Sequence, residues 1–240
     1  MKVIDDIVAQ LEDAPVSKVL IGLHWTVVVS RNGGLATTTR DAGHEHGRPD
    51  VREVGNLESK SALELVSLVN SDSSVEASVG MAAINSLLDV DESRCMELNA
   101  GQVLAEKGRG RKVVVVGHFP FIPDLRKVAD QLWVLELHPG PGDLAAGEAE
   151  RVIPEADVVA ITGSAFVNRT IESLLGLCQP RSYVVVLGPT TPLSPLLFDY
   201  GVDVVSGTKV IDPELALRCA GQGATFRQMR GVRLLTMARS

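Results

Sequence analysis

The sequence predicts an α/β protein of two domains. A small α+β domain with a β-hairpin spans residues 1–74, and a parallel sheet with helices on both faces spans residues 75–240. Three observations predict this. From residue 112 onward, apolar runs of strand length alternate with helical patterns: KVVVVG, LWVLEL, ADVVAITG, SYVVVLG and GVDVVSG. These runs are apolar throughout, as expected of strands buried on both faces. The first seventy residues instead place a β-rich stretch between two helical patterns, and the small polar run NSDSS (70–74) marks the boundary.

Val3, Ile4, Ile7, Val8 and Leu11 recur at helical spacing, so residues 2–13 are expected to form an amphipathic helix that Pro15 ends. KVLIGLHWTVVVS reads as one β-rich run. Asn32-Gly33 then signals a hairpin, because both residue types tolerate positive φ. His24 and Trp25 fall inside that run, where core or interface positions are expected. Residues 41–50 (DAGHEHGRPD) read as an exposed polar loop, and residues 58–69 as a helix. VEASVGMAAINSLLD reads as a well-buried helix whose Gly80 lowers helix propensity, so close packing against another element is expected there. Beyond residue 112 come strand 112–117, helix 121–131, strand 132–137, strand 156–163, helix 166–178, strand 182–188, strand 201–207 and helix 212–221. Right-handed crossovers between such strands give a Rossmann-like domain.

Composition bounds the function. The 240 residues carry a net charge of −7, and no basic run is longer than GRGRK, so a nucleic-acid partner is not expected. No run approaches the roughly 18 apolar residues of a membrane helix. Cys95, Cys178 and Cys219 are few, odd in number and far apart, which suits a reducing compartment, and a cytoplasmic location is expected.

Chemistry is expected where strands end. ITGS places Thr162, Gly163 and Ser164 between a strand and a helix, with Asn168 in that helix's first turn, and free backbone N–H groups with partial positive charge there suit an anion. Gly188, Pro189, Thr190 and Thr191 form the equivalent rigid, hydroxyl-bearing turn after the next strand. After the first strand of the sheet, a dinucleotide fold would carry GxGxxG; GHFPFIPD stands there instead. Glu136, nineteen residues after Gly117, matches the position of a ribose-binding acid. His118 and His138 both fall at strand ends. His44 and His46, with Asp41 and Glu45, lie in the polar loop, and imidazole and carboxylate suit a divalent transition metal. For both loop histidines, solvated side chains are the competing reading. No GxSxG, HExxH, P-loop or Ser-His-Asp pattern is present, so no catalytic residue is assigned and whether the protein is an enzyme stays open.

IGLHWTVVVS with RNGGLATTT, then ASVGMAAINSLL, ITGSAFVNRTIESLL and VVVLGPTTPLSPLLFDYGVDVVSG appear in this order. In these motifs the chain resembles the heavy-metal-chelation family. The resemblance implies an N-terminal domain like that of enolase, a C-terminal Rossmann-like domain, and a site between them. It places the family's glycine and hydroxyl motifs on Thr162, Gly163, Asn168, Gly188, Pro189 and Thr190. Enolase's catalytic carboxylates have no counterpart here, so only the fold carries over.

Together these readings describe a protein that binds a small polar or anionic ligand, a heavy metal or a metal chelate, in an interdomain cleft. Thr26 or the 41–46 loop would contribute from the first domain. One alternative is an enzyme using a nucleotide or S-adenosyl-type cofactor, which rests on Glu136 and the parallel sheet. Another is a non-catalytic accessory protein that forms a homo-oligomer.

Overall fold

Valine's branched side chain fits a pleated surface, and this chain places valines on both faces of its central strands. In the computed structural model, which describes residues 1–40, 49–98 and 100–239, those runs form most of one ten-stranded sheet. The strands are β1 (Lys18–Ile21), β2 (Trp25–Val29), β3 (Gly33–Thr37), β4 (Lys112–Val116), β5 (Gln131–Glu136), β6 (Leu144–Ala145), β7 (Val158–Thr162), β8 (Tyr183–Leu187), β9 (Val204–Val210) and β10 (Val232–Ala238). They run β1-β2-β3-β9-β8-β7-β4-β5-β6, with β10 antiparallel along β9. The helices are α1 (Lys2–Val8), α2 (Ala62–Val66), α3 (Ser74–Leu87), α4 (Ala100–Lys107), α5 (Ile122–Val128), α6 (Ala149–Val152), α7 (Ser164–Val167), α8 (Ile171–Leu177) and α9 (Pro213–Gly221).

From β6 to β9 the pairing is parallel throughout, in the order β6-β5-β4-β7-β8-β9. This is the order of a doubly wound α/β sheet, whose direction reverses between β4 and β7. Alternate residues feed two cores. Val113, Val115, Val158 and Val185 pack under α4 and α5, while Val114, Val159, Val184 and Val186 pack with α6, α7 and α8 on the other face. Burying each such side chain contributes about 1.5–3 kcal/mol.

The meander β1–β3 joins this sheet edge-on through one antiparallel pair, Gly33 with Val210. Helix α3 covers one of its faces, and α9 covers the other through Trp25, Val27, Leu35, Ala216 and Ala220. Helix α3 comes so close to the meander that a Cβ on Gly34 would lie 2.0 Å from the Ala82 carbonyl oxygen. The close packing expected at Gly80 is present: its Cβ would lie 2.3 Å from the Val69 nitrogen.

Several elements differ from expectation. The run from Lys18 to Ser30 is two strands, which reverse at Gly22–His24; His24 is exposed in that turn while Trp25 is buried. The predicted hairpin exists, with Val29 opposite Gly33, but its loop is residues 30–32, and neither Asn32 nor Gly33 has positive φ. Gly33 is small for another reason: a Cβ there would strike the Val210 side chain at 2.6 Å. The expected helix 2–13 stops at Val8. The helix expected over 58–69 is a short α2 flanked by 3-10 turns. The helix expected over 166–178 is broken in two, because Arg169 adopts φ 63 between α7 and α8. Helices α4 and α6 and strands β6 and β10 lie outside the elements expected from sequence.

Candidate functional site

In an open α/β sheet, ligands lie beyond the strands' carboxyl ends, where the winding direction reverses. A cleft of about 450 Å³ opens at that place, on the α6–α8 face of the sheet. Its floor is Val116, Leu135, Leu174 and Leu177. Polar groups at its rim come from every strand end that meets there: His118 after β4, Glu136 ending β5, Thr162 ending β7, and Ser164, Asn168, Thr170 and Ser173 from α7, α8 and the break between them.

Five of the expected residues are therefore gathered in one cleft: Thr162, Ser164, Asn168, Glu136 and His118. The Ser164 amide donates to Thr162 Oγ1 at 3.3 Å, a tight turn that aims both residues the same way. Asn168 closes α7 instead of opening a helix. Its Oδ1 accepts from the Thr170 amide at 3.2 Å and from Thr170 Oγ1 at 2.7 Å, which orders the start of α8. His118 is exposed, with its Nδ1 3.6 Å from the nearly buried carboxylate of Asp143.

Other expected residues fall elsewhere. Gly163 lies behind the cleft: a Cβ on it would meet the amide nitrogen and hydroxyl of Thr191, each at 2.5 Å. Thr190 and Thr191 face inward and are each 1 % exposed. Thr190 Oγ1 accepts from the Thr37 amide at 2.9 Å and lies 3.0 Å from Thr37 Oγ1, and its carbonyl accepts from Asn85 Nδ2 at 3.1 Å. The Thr190 hydroxyl and carbonyl therefore bind the second half of the chain to the first, while the Thr191 hydroxyl is buried with no hydrogen-bond partner among the described residues. Gly188 and Pro189 border a second depression, of about 880 Å³, beside Phe119, Phe121 and Phe226. Thr26 is fully buried and bonded to Thr38 Oγ1 at 2.9 Å. His138 is exposed and stands outside the cleft lining. His44 and His46 lie outside the described residues, as do Asp41 and Glu45. The described lining runs only from Val116 to Leu177, so no described residue of the first unit, Thr26 included, borders the cleft.

Glu150, Thr170 and Ser173 also line the cleft and were missed by sequence reasoning. Thr170 and Ser173 share an i, i+3 face at the start of α8, a signal that could have been read. Glu150 lies on the four-residue helix α6, too short to give a periodic pattern.

The donor set decides how a metal could bind. Among the described residues, no three His, Cys, Asp or Glu side chains gather closely enough to hold an ion. The cleft offers oxygen donors and one imidazole, whereas soft heavy metals favour thiolates. All three cysteines are free and none lines the cleft; burial pushes the Cys178 thiol up to about 11, away from thiolate chemistry. The described residues therefore do not fit a soft metal ion bound directly by protein ligands.

Fold and site together define a doubly wound α/β protein with a cleft at its switch point, extended at one edge by a helix-covered meander. Residues 4–88 match the family model DUF4213 and residues 99–238 match DUF364, both described as "Putative heavy-metal chelation". The chain belongs to this DUF364 family. It is 28% identical over 205 residues to uncharacterized protein MJ0500 of Methanocaldococcus jannaschii, covering 80% of this chain and 76% of that one. A DUF364-family protein of unknown function from Desulfitobacterium hafniense is similar in structure, with a TM-score of 0.85 and 26% identity over 99% of this chain and 98% of that one. Another, from Pyrococcus horikoshii, shares the fold with a TM-score of 0.81, at 18% identity and the same coverage.

Proposed function

We propose that the switch-point cleft binds a small, hydroxyl-bearing ligand that is neutral or positively charged. One observation carries this reading: the lining holds the carboxylates of Glu136 and Glu150 and neither lysine nor arginine. An anion entering such a cleft would meet like charge without a compensating cation, so the anionic ligand allowed by sequence is disfavoured. Apolar floor and convergent polar rim are the usual make-up of a small-molecule site. A metal would reach this cleft inside a complex that carries most of its own ligands.

We also place the division between the two structural units after α3 instead of at residue 74. Helix α3 packs on β2, β3 and α2, and the two family matches part between residues 88 and 99. On this reading the first unit supports the cleft from behind, through Thr37, Thr190, Thr191 and Gly163.

The test is thermal stabilisation of the intact protein by nucleosides, polyols, amines, organic anions, divalent metals and preformed metal chelates. A ligand at a hundred times its Kd adds about 2.7 kcal/mol of stability. The expected hits are neutral or cationic, and Glu136→Gln weakens them at least fivefold. Hits confined to anions, or hits indifferent to Glu136→Gln, would refute the reading.

A further inference from the structure

The cleft has chemistry finer than its charge. We infer that its ligand is a purine nucleoside whose 5′ side carries no phosphate and is neutral or cationic. This rests on the small-ligand reading above and deepens it.

The first support is the position of Glu136. Counted along the winding from β4, β5 is the second strand of the doubly wound sheet, and Glu136 is its last residue. In sheets of this winding, an acid at that place accepts hydrogen bonds from a ribose diol, since two vicinal hydroxyls span the two oxygens of one carboxylate. Glu136 lines the cleft.

A second support is apolar. Leu137, the next residue, is 59 % exposed and lies on the cleft wall. Ala146 and Gly147, which follow β6, also line the cleft, and a Cβ on Gly147 would meet nothing within 4 Å. A leucine beside two small residues leaves a slot suited to the flat faces of a fused aromatic base, whose burial would take that leucine out of water.

The third is the treatment of phosphate. The turn after β4 is where a dinucleotide fold brings backbone amides to a pyrophosphate. Here Gly117 has φ 99, and a Cβ on it would lie 2.9 Å from Thr162 Cβ, so this glycine is used for the close approach of two strand ends and GHFP brings no further glycine for a pyrophosphate. His118 follows with its own side chain, and Pro120 has no N–H to give. Glu150 lies on the same lining, where it repels phosphate and attracts an amine or sulfonium.

Isothermal titration of the intact protein with adenosine, 2′,3′-dideoxyadenosine, S-adenosylmethionine, ATP and NAD tests this. Adenosine and S-adenosylmethionine are expected to bind one per chain. Loss of the diol weakens binding about tenfold or more, and ATP and NAD bind at least tenfold more weakly than adenosine. Glu136→Gln lowers adenosine affinity about tenfold and leaves dideoxyadenosine unchanged. Gly147→Leu fills the slot and abolishes binding at an unaltered melting temperature. Equal binding of adenosine and dideoxyadenosine, ATP binding as tightly as adenosine, or full binding by Gly147→Leu overturns the inference. If no nucleoside binds while another neutral or cationic compound does so in a Glu136-dependent way, the nucleoside fails and the small-ligand reading stands. If nothing binds, both fail.

Discussion

At Glu76 opposing forces meet on one side chain. Burial opposes its ionisation, yet hydrogen bonds from the Arg52 guanidinium, Ser71 Oγ and the Arg52 amide, with the charge of Arg52, hold its carboxyl at about 2. A depressed carboxyl stabilises the fold above its unfolded value near 4.5, and that contribution is lost as pH falls toward 2. Arg52 is largely exposed and so partly screened, and Glu76→Gln should cost about 2 kcal/mol at pH 7. Urea unfolding at pH 7 and pH 2.5 checks it: the gap between wild type and variant narrows in acid. Tyr200 gives the opposite limb. Its hydroxyl donates to Asp6, and that bond, with burial, raises it to about 12. A raised phenol stabilises below its unfolded value near 10 and loses that contribution between 10 and 12, so Tyr200→Phe should flatten the stability profile there. Thr190 and Thr191 show the limit of reading single residues. Two hydroxyls after a strand look the same whether they face a ligand or an adjoining unit; Thr190 bonds Thr37, some 150 residues earlier, and Thr191 is buried against Gly163, contacts that local sequence does not display.

Glycine governs the fit between elements where α3 meets the sheet. In isolation Gly80→Ala would favour helix by about 1 kcal/mol. Here the added carbon lands on the backbone at Val69, and overpacking of that kind costs about 1–3 kcal/mol. The substitution should therefore lower the melting temperature, and a rise would show that the α3 contact yields easily. Strands β4, β7 and β8, apolar apart from Lys112 and Thr162 at their ends, were legible because burial on both faces leaves no polar positions in their middles. Strand β10 was not. It pairs on one side with β9 and carries Arg233, which is bonded to Glu92, so its pattern is mixed. The reversal at Gly22–His24 was also hidden: Gly22 is there because a Cβ would approach the Ala220 carbonyl at 2.6 Å, a contact 198 residues away in the chain. That a cleft opens at the carboxyl ends of the strands was legible, but its described lining comes from Val116 to Leu177 alone, without Gly188–Thr191 or a residue of the meander, and its membership depended on the break at Arg169.

The whole molecule shares one sheet, and its two tryptophans report on opposite ends of it. Trp25 is buried in β2, with its indole N–H on the Ala224 carbonyl at 2.9 Å, while Trp133 lies half-buried on β5. The β3–β9 pair, the Thr37–Thr190 bond and the α9 cover tie these regions together. A single cooperative transition is expected. Single-tryptophan variants, Trp25→Phe and Trp133→Phe, should report the same urea midpoint, coincident with far-ultraviolet circular dichroism. Midpoints separated by more than the error of the fits would show that the meander unfolds independently.

The cover supplied by α9 also orders events at the ribosome. Val27 and Leu35 are made early, but the helix that shields their face lies near residue 213–221. At bacterial to eukaryotic synthesis speeds that interval lasts on the order of ten to forty seconds. For that time a folded nascent meander would present a bare apolar face at Val27 and Leu35, a surface suited to transient cover by a chaperone that binds emerging chains.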